Sequence, residues 1–116
     1  MKKLHNILII DPVDERRRLK SKIANGRKKF SAEETGDTEK GRIMFFEGQW
    51  DLVILGHCKD IDVVKFAVKI YNIKPGIPIV LVTSRDSSHK HTHPFRIVIS
   101  ERDGLVKRFN DILDRL

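Results

Sequence analysis

Trp50-Asp51-Leu52-Val53-Ile54-Leu55-Gly56-His57 holds four consecutive aliphatic residues between a charged residue and a glycine. An apolar run of this length without polar alternation suits a strand buried on both faces of a parallel sheet. Three similar runs lie before and after it: Ile7-Leu8-Ile9-Ile10, Ile79-Val80-Leu81-Val82 and Ile97-Val98-Ile99. Phe30 to Thr35 is a weaker run whose glutamates suit an edge strand. Between the runs the apolar spacing becomes helical. Asp11-Pro12 has the form of an N-cap followed by proline at the first helical position, with Val13, Leu19 and Ile23 at helical spacing and Asn25-Gly26 as the stop. A second helix is expected from Asp37 or Thr38 to Gly48, burying Ile43, Met44 and Phe46. A third is expected from Asp62 to Asn72, with Val63, Phe66, Ala67 and Ile70 inward and Lys74-Pro75-Gly76 as the turn. The last is expected from Asp103 to Leu116, with Leu105, Val106, Phe109, Ile112, Leu113 and Leu116 on one face. Alternating strand and helix along the whole chain indicates βαβ units: a parallel sheet covered by helices on both sides.

One slot departs from the pattern. Arg85 to Pro94 is polar, lacks apolar periodicity and reads as a loop where a fourth crossover helix belongs, so that helix is expected to be shortened or missing. The 116 residues suit a single domain spanning 1–116. Lys and Arg total 23 against 16 Asp and Glu, a formal net charge of +7. Cys58 is the only cysteine, which excludes an internal disulfide and fits a reducing compartment. No apolar stretch approaches the roughly 20 residues of a membrane span. Ile7–Ile10 is too short for the core of a signal peptide. A cytoplasmic domain with no membrane partner is the expectation.

Three segments in order carry a family resemblance: Ile7-Leu8-Ile9-Ile10-Asp11 with Arg17 and Leu19 behind it, Trp50 to Leu55, and Pro75-Gly76-Ile77-Pro78-Ile79-Val80-Leu81-Val82-Thr83-Ser84. With these the sequence resembles the CheY-like receiver domains of two-component response regulators. The resemblance implies a flavodoxin-like, doubly wound, five-stranded parallel sheet in the order 2-1-3-4-5, with its site at the carboxyl ends of the strands. It further implies phosphoryl transfer to an aspartate after the third strand, Mg²⁺ held by an acidic pair after the first, and contacts from a Thr or Ser after the fourth strand and a Lys after the fifth. In this chain the phosphoacceptor position is Gly56, the second acid of the pair is Pro12, and the lysine position falls near Ser100. Asp11 and Thr83 alone remain. Asp51 stands at the wrong end of its strand, Asp60 and Asp62 fall too far along the following loop, and His57 and Cys58 lack the rest of a metal site. The reading is a degenerate member, a pseudo-receiver, that neither accepts phosphate nor works as an enzyme and needs no cofactor.

Without a metal, Asp11 caps the first helix and Thr83 bonds a loop. His89, His91 and His93 would share a face on a strand and are candidate metal ligands; in a polar loop nothing enforces that geometry. Basic residues cluster from Arg16 to Lys29. Arg16, Lys20 and Arg27 are expected on one exposed helix flank and, with Lys28 and Lys29, form a candidate contact surface. The expected function is phosphorylation-independent signalling through a protein partner: a kinase, an output domain, another regulator or a second copy in a homodimer. The alternative is a basic module that holds nucleic acid non-specifically.

Overall fold

The computed structural model describes residues 5–56, 63–83, 95–100 and 105–115. Among the described residues are five strands and four helices: β1 (His5–Ile10), α1 (Asp14–Asn25), β2 (Phe30–Thr35), α2 (Thr38–Glu47), β3 (Leu52–Gly56), α3 (Val63–Ile73), β4 (Ile79–Thr83), β5 (Phe95–Ser100) and α4 (Leu105–Asp114). The strands form one sheet in the order β2-β1-β3-β4-β5, every pair parallel. The doubly wound topology is the one expected. The crossover between β4 and β5, expected to lack a full helix, covers residues 84–94 and lies outside the described residues.

Strand side chains alternate between faces, and the unbroken apolar runs therefore feed two cores at once. Ile7, Ile9, Leu52, Ile54, Val80 and Val82 point to one side and pack with Ala24 of α1 and Phe109, Ile112 and Leu113 of α4. Leu8, Ile10, Val53, Leu55, Ile79 and Leu81 point to the other and pack with Phe45 of α2 and Val63, Ala67 and Ile70 of α3.

Two helices are rotated from their expected orientation. On α2 the buried positions are Gly41 and Phe45, while Ile43 and Phe46 are exposed. Gly41 lies directly on Ile10, so close that a Cβ would collide with that side chain; the small residue lets the helix approach β1. On α1 the inward residues are Lys20 and Ala24, and Leu19 is exposed. Val106 of α4 is exposed as well, although it was expected on the apolar face.

Helix ends follow local chemistry. Asp37 caps α2, its Oδ1 accepting the amides of Glu39 (2.8 Å) and Lys40 (3.2 Å). In the first turn of α2, hydrogen bonding from the Arg42 guanidinium holds the Glu39 carboxyl below the usual carboxylate range. At the other end of α2 the Trp50 indole donates to Met44 O (3.0 Å), and Lys74 Nζ donates to Gly48 O (2.6 Å) and Phe45 O (3.2 Å).

Candidate functional site

In a sheet of this order the site lies beyond the carboxyl ends of the strands, where β1 and β3 send their connections to opposite faces. Register places the expected residues there. Ile10 pairs with Leu55, so Asp11 and Gly56 are the next residues along two adjacent strands. Gly56 pairs with Val82, and Thr83 pairs with Ser100. The backbone thus brings Asp11, Gly56, Thr83 and Ser100 to one edge, as expected.

Asp11 is fully buried. Its Oδ2 receives the Nζ of Lys20 at 2.6 Å, and both side chains are completely enclosed. Its Oδ1 accepts the backbone amide of Val13 at 2.9 Å and the Arg16 guanidinium at 3.4 Å. Its backbone carbonyl accepts Arg17 Nη1 at 3.1 Å, and Arg17 also reaches Glu34 (3.3 Å) and Asp14 (2.9 Å). A carboxylate out of water is tolerated only when its charge is matched and its oxygens are hydrogen-bonded. Helix geometry explains how α1 supplies the match. Side chains on a helix lean toward its N-terminus, so a long residue in the second turn reaches back past the first, to the strand end. Lysine also has the apolar stem needed to cross that distance inside protein.

Gly56 completes the arrangement by having no side chain. A Cβ built there would come within 3.0 Å of Cγ, Oδ1 and Oδ2 of Asp11. The Asp11 carboxylate thus occupies the space that a side chain at position 56, the end of β3, would require.

Two readings of the basic and acidic residues are corrected by this geometry. Arg16, Lys20 and Arg27 do not share an exposed flank. Lys20 is buried, Arg16 turns to Asp11, and Arg27 is held by Asn110 O and Oδ1 (both 3.2 Å) and by Asp114 of α4, with its guanidinium 5.2 Å from the Phe30 ring centroid. Of the expected contact surface, Lys28 and Lys29 are exposed. Nor is Asp11 the helix cap: α1 starts at Asp14 with Val13 at the N-cap, and Asp11 instead closes a turn onto the Val13 amide. Asp51 sits at the opposite, amino end of β3, where it accepts Asn6 N at 2.7 Å. His57, Cys58, Asp60, Asp62, His89, His91 and His93 lie outside the described residues.

Mg²⁺, the ion that a receiver fold implies, does not fit the residues present. It needs several oxygen ligands. Among the described residues at this strand end Asp11 offers the carboxylate, and a lysine ammonium already stands against its Oδ2. Among the described residues no group of three His, Cys, Asp or Glu is placed to hold a metal. No described helix is long and apolar enough to cross a membrane.

No family model and no curated protein sequence matches the chain. Solved structures do. The CheY-like receiver domain protein of Methanospirillum hungatei superposes with a TM-score of 0.80 at 18% identity, over 97% of this chain and 96% of that one. The chemotaxis response regulator CheY4 of Vibrio cholerae superposes with a TM-score of 0.82 at 13% identity, over 97% and 98%. The orphan response regulator HP1043 of H. pylori gives 0.76 at 18% identity, over 96% and 98%. The chain therefore has the CheY-like receiver fold over nearly its whole length.

Proposed function

We propose that this chain is a degenerate receiver domain, a signalling module that recognises a protein partner without being phosphorylated. One observation carries the reading: where a phosphoacceptor would stand at the end of β3 is Gly56, and the Asp11 carboxylate fills the space a side chain would need. Phosphoryl transfer requires a nucleophile and charge neutralisation of the transferred group. The first is absent at this position, and the residues around it do not suit the second. That the structural neighbours are receiver domains of response regulators supports a place in two-component signalling. The recognition surface in this reading is the exposed basic edge formed by Lys22 in the last turn of α1 and by Lys28 and Lys29 in the loop after it, and the partner presents acidic groups to it.

Incubation with acetyl phosphate and Mg²⁺, followed by intact-mass spectrometry, tests the proposal. The expected result is an unchanged mass. A stoichiometric gain of one phosphoryl group would overturn it.

A further inference from the structure

Lys20, expected on an exposed basic flank, is among the largest fully enclosed side chains of the described residues. Its ammonium lies 2.6 Å from the Oδ2 of an equally enclosed carboxylate, at the carboxyl edge of the sheet where ligands bind in this topology. A site of this kind holding several carboxylates carries an excess of negative charge and takes a divalent cation from solution to balance it. Among the described residues here one carboxylate faces one ammonium, and that pair is neutral without an ion. Arg16, 3.4 Å from the other oxygen, adds further positive charge.

We propose that Lys20 is a tethered replacement for the divalent cation: its ammonium holds the cation position beside Asp11 and excludes free divalent ions from the site. The inference rests on the receiver-like reading of the strand ends and concerns how that site is regulated. A dissociable ion makes a site sensitive to metal supply, whereas a side chain cannot leave. The carboxyl edge is therefore fixed in one electrostatic state, whatever the metal concentration around it. Two features support this. The ammonium reaches Asp11 from the second turn of α1, so its position is set by helix packing rather than by surface mobility. Gly56 leaves room for the Asp11 carboxylate to turn to Lys20, and any larger residue would push it away.

The test is paramagnetic relaxation by Mn²⁺, read from amide NMR spectra of the full chain. In the wild type, millimolar Mn²⁺ is expected to leave the amides of residues 10, 11, 13 and 54–56 unbroadened, and Mg²⁺ to leave the melting temperature unchanged. Lys20→Met removes the ammonium. It is expected to gain Mn²⁺-dependent broadening at those residues, with affinity about tenfold or more above the wild type, the scale of one pKa unit of charge interaction. Lys20→Gln keeps a hydrogen-bond donor without the charge and serves where Lys20→Met does not fold. Asp11→Asn added to either variant is expected to abolish the gain. Broadening of residues 10, 11, 13 and 54–56 in the wild type overturns the proposal, as does a folded Lys20 variant that binds no more Mn²⁺ than the wild type. A wild type that takes Mn²⁺ there but gains no phosphoryl mass sinks the tethered cation and leaves the partner-binding reading standing. A phosphoryl gain without Mn²⁺ broadening does the reverse.

Discussion

At the scale of single residues, the pair Lys20–Asp11 has the steepest energetic consequences. Two ions removed from water lose solvation worth several kcal/mol each, and only close, hydrogen-bonded pairing offsets it. Removing one partner leaves the other charged and buried. Lys20→Met is accordingly expected to destabilise the fold by about 3–5 kcal/mol in urea unfolding. Lys20→Met with Asp11→Asn removes both charges and is expected to recover most of that loss; two independent, additive losses would show that the side chains do not act as a pair. Asp11 and Gly56 were legible in the sequence as positions, because strand ends are marked where an apolar run stops. Lys20 was not. Helical spacing puts Arg16 and Lys20 on one face, while Arg27 lies past the end of α1, and spacing does not say whether a face turns to water or to protein. Charge suggested water. The available cue was indirect: a lone acid at a buried strand end requires a cation, and α1 is the segment close enough to provide one.

Elements were easier to read than their orientation. Strand limits followed the apolar runs to within two residues, since a strand buried on both faces has no polar position to blur its ends. Helices carry a stripe, and on α2 it was assigned wrongly at Ile43 and Phe46, which are exposed, while Met44 does pack against the core. Ile43-Met44-Phe45-Phe46 is apolar at four consecutive positions, so periodicity alone could not choose among them. Packing chose Phe45, because Gly41 one turn earlier allows close approach to Ile10 and sets the rotation of the helix. The C-terminal end of α2 depends on residues remote in sequence. Lys74 delivers a positive charge to the last carbonyls, where the helix dipole favours it, and its Nζ lies 5.6 Å from the Phe45 ring centroid. Lys74→Met keeps the stem and removes the donor. It is expected to cost about 1.5–3 kcal/mol, the range for hydrogen bonds involving a charged group. Hydrogen exchange should locate the effect: amides in the last turn of α2 exchange faster, while those of α4 are unchanged. Equal acceleration in both helices would show a global loss instead of a lost cap.

For the whole molecule, one sheet joins two cores that share no side chains. Each central strand contributes alternate residues to both, so neither layer can lose its strands while the other keeps them. The topology was legible because this double use is what suppresses polar alternation in the sequence. The distribution of the +7 charge was not, because Lys20 and Arg27, expected at the surface, serve contacts to Asp11 and α4, and Arg17 and Lys74 bind Glu34 and the end of α2. The shared sheet has a measurable consequence. Ile70 of α3 and Ile112 of α4 lie on opposite sides of it. Each Ile→Val change removes one buried methylene and is expected to cost about 0.5–1.5 kcal/mol. Helices pack about 10 Å from each face of a sheet, too far apart for the two sites to touch, so the double variant should lose the sum of the single losses to within about 0.5 kcal/mol. Because the strands couple the layers, fluorescence and circular dichroism should still report one coincident unfolding transition in both single variants and in the double. If Ile112→Val instead produced an early transition confined to α1 and α4, with α2 and α3 melting later, the layers would be separable units and the sheet would not bind them into one cooperative fold.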